Sequence, residues 1–176
     1  NHIAESSYDE WMVQERLRPH PALAELSGLP LIQTVRIVTY VTRNGEIEIP
    51  FAWLRIVGSP KGVDNFSFGR NGNLVATLDA QTGVIQHVLG GDSAGFGLEL
   101  VTEHPLSGMK FAGFSIPEFA AACSTAKRAA AAFSPLRTIG WDVAITDQGI
   151  SLIEGNVTWD PLPTCSDLAR VIHAFN

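Results

Sequence analysis

The side chains best equipped for chemistry in this sequence are Asp142, Glu154 and Asn156, which fall within Thr138-Ile-Gly-Trp-Asp142-Val-Ala-Ile-Thr146-Asp-Gln-Gly149-Ile-Ser-Leu-Ile-Glu154-Gly-Asn156. Apolar residues alternate through this stretch, which is the pattern of two strands. Asp147-Gln148-Gly149 reads as a three-residue turn, with Gly149 supplying the left-handed conformation that closes such a loop. That turn pairs Thr146 with Ile150, and counting back sets Asp142 opposite Glu154 and Gly140 opposite Asn156. Side chains alternate faces along a strand, so Asp142, Glu154 and Asn156 are expected to project together. Ile150 and Leu152 are expected on that same face, which makes it more than a wet surface. Two carboxylates opposed across a ladder repel. Either solvent dissipates that repulsion, or a hard divalent cation such as Mg²⁺ offsets it by taking oxygen ligands, with Asn156 adding a neutral oxygen in line with Glu154.

The elements that must position this hairpin follow from the same periodicities. Residues 11–17 read as a strand broken at His20-Pro21, followed by a short helical segment from Pro21 that Gly28 stops. Residues 32–42 are rich in β-branched side chains, and Asn44-Gly45 signals a hairpin to a second strand over 46–57, in which Pro50 marks an edge or a bulge. A Gly- and Asn-rich stretch runs from Gly58 to Asn73, and two short strands, Val75 to Leu78 and Val84 to Leu89, flank a turn at Gln81-Thr82-Gly83. Residues 90–114 read as a long irregular loop, a feature that usually carries function or mobility. Ser115, Pro117 and Glu118 read as a capping box opening a helix that runs to about Phe133. Its inward face is expected to be Phe119, Ala122, Cys123, Ala126, Ala130 and Phe133, and a last helix is expected over Ser166 to Phe175. The sum is an α+β fold, an antiparallel sheet with helices packed on one side.

Composition narrows the function classes. A chain of 176 residues forms one domain or a large part of one, and 45% apolar content supplies an ample core. A net charge of −6 with no Lys/Arg cluster argues against nucleic-acid binding. No apolar run is long enough to span a membrane and no secretory pattern opens the chain, so a cytoplasmic setting without membrane attachment is expected. Cys123 and Cys165 lack metal-ligand spacing and read as reduced, incidental thiols.

Further short motifs occur in a telling order: Val13-Gln14-Glu15-Arg16-Leu17 with His20-Pro21, Thr34-Val35-Arg36-Ile37-Val38-Thr39, Leu54-Arg55, and Val63-Asp64-Asn65-Phe66. Leu78-Asp79, Thr82-Gly83, His104-Pro105 with Gly108, Ile116-Pro117, Ile139-Gly140-Trp141-Asp142-Val143-Ala144 and Ile153-Glu154-Gly155-Asn156 follow. Together these resemble the C-terminal half of an ATP-grasp domain, and most closely the sugar-transfer-associated ATP-grasp branch, related to alpha-L-glutamate ligases. The resemblance implies ATP and Mg²⁺ as cofactors, with Asp142, Glu154 and Asn156 holding the metal. It implies an ATP-dependent ligase that phosphorylates a small-molecule carboxylate and passes the acylphosphate to an amine or other nucleophile, in polysaccharide or peptide modification. It also implies that Gln14, Glu15 and Leu17 form the adenine-binding segment, unless residues 14–17 are an ordinary edge strand. Arg36 and Arg55 are expected on strands facing the cleft, as anion-binding catalytic residues, unless each is a surface arginine or a member of a structural ion pair. Asn65 is expected either to aim its amide at phosphates or to satisfy its own turn. His20 and His104 precede prolines and read as structural.

The departures from the family pattern shape the expectation. An upstream lobe bearing lysines and a glycine-rich loop has no counterpart before residue 10, and Lys61, Lys110 and Lys127 are poorly placed for phosphates. Position 140 is glycine where many ATP-grasp enzymes place an arginine. The chain is therefore expected to be the metal-binding portion of a longer protein, partnered by its missing N-terminal lobe and inactive alone. The alternative is a degenerate, non-catalytic ATP-grasp module that binds a nucleotide or a partner.

Overall fold

The computed structural model describes residues 14–60, 64–92, 94–95, 97–133 and 135–162. The helix expected from Ser166 to Phe175, Cys165 and the first residues of the strand expected at 11–17 lie outside the described residues. Within them, seven antiparallel strands form one sheet: β1 Thr34–Val41, β2 Ile47–Ile56, β3 Leu74–Leu78, β4 Ile85–Gly91, β5 Leu98–Leu100, β6 Thr138–Thr146 and β7 Gly149–Asn156. Their order is β5-β4-β3-β2-β1-β6-β7. Sequential hairpins build the sheet outward from β1, and the late β6–β7 hairpin joins on the other side of β1. The acidic hairpin thus lies beside a central strand made early in the chain.

Two helices, α1 Pro21–Ser27 and α2 Phe119–Ala132, cover one face. Leu23 and Leu26 of α1 and Phe119, Ala122, Ala126 and Ala130 of α2 meet Val35, Ile37, Leu54, Ile56, Trp141, Val143 and Ile145 in the main core. The small alanine face lets α2 lie close on the sheet. Phe133 ends the helix 54% exposed rather than inward, and Cys123 is only partly buried. Burial still pushes the Cys123 thiol up to about 11, against the pull of Lys127. The expected capping box is absent: Ser115 bridges to Val84, and α2 begins after Glu118, which has a left-handed backbone and makes no side-chain cap. The pull of the sheet on residue 115 delays the helix by one turn.

Other expectations are refined in the same way. Residues 14–18 form no strand; the segment meets β6 and its turn only at its end, where Pro19 bridges to Thr146, His20 N donates to Ile145 O at 2.9 Å and Arg18 O accepts from Asp147 N at 3.2 Å. Pro50 lies inside the sheet at a bulge, where the β1–β2 register shifts between Val38 and Tyr40. Proline has no N–H to give the ladder, so a bulge is where it can be accommodated. The stretch 90–114 is not wholly irregular, because β4 extends to Gly91 and Leu98–Leu100 adds the edge strand β5. Among the described residues no helix is long and apolar enough to cross a membrane.

Candidate functional site

The opposite face of the sheet carries the site. Alternation places Arg36 and Val38 of β1, Phe51, Trp53 and Arg55 of β2, Val75 of β3, and Gly140 and Asp142 of β6 away from the helices. The apolar members of this face form a second small core with Leu89, joined by Phe66, Leu98, Trp159 and Leu162. The chain after β7 therefore folds back over the sheet. Trp159 anchors it, with ring centroids 5.9 Å from Phe51 and 6.4 Å from Trp53 and an indole N–H donated to Thr138 Oγ1 at 3.1 Å.

The hairpin reaches the expected pairing by an unexpected route. The turn holds two residues, Asp147 and Gln148, so Thr146 faces Gly149 and Ile145 faces Ile150. Thr146 Oγ1 stabilises this tighter loop, donating to the Gly149 carbonyl at 2.7 Å and accepting from Gln148 N at 3.1 Å. A bulge then places Leu152 opposite Val143 and Glu154 opposite Asp142, with Ile153 as the extra residue. The one-residue slip at the turn is cancelled, and Gly140 still faces Asn156. Ile150 and Leu152 do not share the Asp142 face as expected. They pair with Ile145 and Val143, and Ile150 packs on the helix-side core.

Asp142 is 2% exposed and bound by two arginines. Arg36 lies directly opposite it on β1 and grips it side-on, Nε donating to Oδ1 and Nη2 to Oδ2, the latter at 2.8 Å. Arg55 reaches over from β2 and donates Nη1 to Oδ2 at 3.0 Å. Of the expected roles, anion binder, surface arginine or ion-pair member, the structure shows the ion pair: both arginines join Asp142 in one largely buried cluster. Glu154 is exposed and accepts from Asn156 Nδ2 at 3.1 Å, and the same amide nitrogen reaches Gly140 O at 3.4 Å. The carboxylate repulsion inferred from the ladder is therefore met by side chains of the chain itself. Among the described residues no three His, Cys, Asp or Glu side chains gather.

The donor set nonetheless fits a hard cation. An ionised carboxylate offers about four lone-pair sites, and three N–H groups occupy three of those of Asp142, which leaves about one. Glu154 is solvent-facing with Asn156 beside it, and oxygen donors of this kind suit Mg²⁺.

Arg36, Arg55, Asn65 and Asn156 line one cavity of about 350 Å³, together with Trp53 and Phe66. The backbone carbonyl of Asn65 accepts from the Asn71 and Asn73 side chains at 2.6 and 3.0 Å, which fixes the loop where Asn65 lines the cavity. Leu17 lines a different cavity, beside Arg16, Arg18 and Pro19, while Gln14 and Glu15 are exposed, in irregular backbone, and line neither. The structure brings together the arginines, Asn65 and the hairpin trio, and leaves the expected adenine segment apart. Sequence reasoning missed Trp53 and Trp159. Trp53 was legible, since it stands two residues before Arg55 and must share its face. His104 and His20 act in the framework. His104 donates Nε2–H to Val57 O at 2.9 Å while its Nδ1 faces the Leu106 and Ser107 amides, and His20 Nδ1 accepts from Ala22 N at the start of α1.

Comparison with known families gives a match between residues 4–169 and the family model described as sugar-transfer associated ATP-grasp. No curated protein and no solved structure matches the chain.

Proposed function

This chain belongs to the sugar-transfer associated ATP-grasp family, and on that premise we propose that it is the metal-binding lobe of an ATP-dependent ligase joining a carboxylate to an amine or related nucleophile. The observation that carries the reading is the convergence of Asp142, Glu154 and Asn156 on one sheet face, beside a cavity that Arg36 and Arg55 line. Asp142, Glu154 and Asn156 would hold Mg²⁺, which supplies charge neutralisation at the nucleotide phosphates. In the reaction a substrate carboxylate oxygen attacks the γ-phosphorus of ATP, and the bond to the β,γ-bridging oxygen breaks to release ADP. The nucleophile then attacks the acylphosphate, expels inorganic phosphate and loses a proton to solvent. Arg55 is the residue placed to orient the carboxylate, because a planar guanidinium suits it and its other N–H groups are uncommitted among the described residues. Arg36, doubly bound to Asp142, fixes that carboxylate against rotation. A setting in polysaccharide or peptide modification fits the family.

A second reading, a non-catalytic module, is favoured by one observation: Asp142 is sealed by two guanidiniums in a structural cluster. Two measurements separate the readings. Mg²⁺-dependent stabilisation by ATP in a thermal-shift assay is expected, and Glu154→Gln abolishes it; stabilisation that is unchanged in that variant refutes the metal trio. ADP release with carboxylate and amine present, from the chain joined to an upstream ATP-grasp lobe, distinguishes ligase from module.

A further inference from the structure

We infer that the cavity beside Arg36 and Arg55 selects a carboxylate carried on a small apolar, planar body, an inference that rests on the ligase reading and names the class of its carboxylate substrate. Two halves of the cavity wall argue for two halves of a ligand. One end is polar. Arg55 has 18% of its side chain exposed and, among the described residues, a single partner, Asp142. Two guanidiniums line the cavity and share Asp142, and the lining also carries the Asp160 carboxylate, so the charges balance and the local feature is the fork of Arg55 itself. Asp160, on the rim, is exposed to solvent. A half-buried arginine with unspent donors in a fixed fork suits a second carboxylate.

The other end is apolar. Trp53, Phe66, Leu98 and Leu162 form its wall, and Phe68 stands over it while 72% exposed. The backbone holds Phe68 there at a cost. Ser67 and Phe68 have φ of 45° and 54°, a left-handed conformation unfavourable for any residue but glycine. The strain is imposed from the next residue. A Cβ on Gly69 would sit 2.2 Å from the Gly91 nitrogen, so the loop is seated directly on β4. Its other end is fixed where Gly58 meets Gly72, whose carbonyl would lie 1.8 Å from a Cβ at 58. A loop clamped at both ends, strained in the middle and presenting an aromatic ring to a cavity that two guanidiniums line is built for contact with a ligand ring. Inorganic anions would use the arginines and ignore the aromatic wall. A nucleobase would use the wall and, without its phosphates, gain nothing from Arg55.

The test uses the 176-residue chain with neither nucleotide nor Mg²⁺ present. Phenylacetate, 3-phenylpropionate and benzoate are titrated by calorimetry and by tryptophan fluorescence, against acetate, benzyl alcohol and inorganic phosphate. Saturable binding of phenylacetate is expected, with acetate, benzyl alcohol and phosphate each at least tenfold weaker. Arg55→Met weakens phenylacetate at least tenfold. Phe68→Ala, an exposed position that leaves the melting temperature unchanged, weakens it at least threefold. Absence of saturable binding by all three apolar carboxylates overturns the inference, as does phosphate binding as tightly as phenylacetate, or affinity unaltered in Phe68→Ala. Phenylacetate binding with no Mg²⁺·ATP effect ends the ligase reading and leaves the pocket standing; the converse ends the pocket alone.

Discussion

Replacing Asp142 by alanine removes the one anion that two arginines share, and its cost measures whether the cluster is structural. Breaking a buried ion pair from one side costs about 3–5 kcal/mol, because the partner stays charged in a dry site. Arg36 is 7% exposed and bears that penalty nearly in full, whereas Arg55, with 18% of its side chain exposed, recovers part of its hydration. A loss of about 3–4 kcal/mol is therefore expected for Asp142→Ala. Asp142→Asn keeps an acceptor oxygen for the guanidiniums and is expected to lose less, about 2 kcal/mol. Urea unfolding reads these as a shift in midpoint at unchanged slope, and a melting curve reads the larger loss as a drop of about 6–16 °C. Replacing both partners by apolar side chains, Arg36→Met with Asp142→Leu, is expected to recover the share of the loss that Arg36 bears, since a buried pair exchanged for packed apolar groups is often neutral, while Arg55 stays without its carboxylate. The cycle should give a coupling of at least about 2 kcal/mol between positions 36 and 142. An Asp142→Ala loss under about 1 kcal/mol, or a double variant that simply sums the singles, refutes the claim that Arg36 and Asp142 depend on each other.

Two further outcomes follow from the same geometry. A Cβ at Gly140 would lie 2.9 Å from Trp159 Cβ and 3.0 Å from Arg36 Cδ, so Gly140→Ala is expected to cost about 1–3 kcal/mol and to red-shift Trp159 emission as the returning chain lifts; an unshifted spectrum with full stability would show that this contact is loose. Burial pulls the His104 pKa below its ordinary 6.5 against the opposing hydrogen bond to Val57. The unfolded chain therefore takes up the proton first. The contribution of neutral His104 is complete above pH 6.5 and is lost as pH falls from there through the lowered folded value, so His104→Gln should flatten the stability–pH curve below 6.5; an equally steep curve in the variant would assign that slope to other groups.

The sequence made the site legible where one local rule fixes a side chain's direction. Strand alternation put Asp142, Glu154 and Asn156 on one face, and put Arg36 and Arg55 on strands of the same sheet. It misjudged the turn, because Thr146 caps a two-residue loop through its hydroxyl, a preference that Gly149 alone does not reveal. The pairing survived because the bulge at Ile153 restores the count, and a bulge in an edge strand leaves little trace in an alternating pattern. The late start of α2 and the coil at residues 14–18 were illegible for a different reason. Each is set by a contact with a distant segment, Ser115 with Val84 and Pro19 with Thr146. Arg36 and Arg55 could be named but not paired, since periodicity says which face a residue occupies and not which neighbouring strand it meets.

That last gap explains the glycine at position 140. Arg36 stands on the central strand with Trp53 opposite on one side and Asp142 on the other, and it must lie flat along the sheet to present Nε and Nη2 together. The ground it crosses is the Cα of Gly140, over which Trp159 also closes. Any side chain at 140 would push the guanidinium off Asp142 or the indole off Thr138 and Phe51. A carboxylate 2% exposed on a ladder beside Glu154 needs a fixed cation, and the chain supplies one from β1 rather than from β6. Glycine at 140 and arginine at 36 are thus one device. On the proposed metal reading, Asp142 would meet a cation with its orientation already set, and Glu154 and Asn156, paired only with each other and Gly140 among the described residues, would be the groups left to adjust.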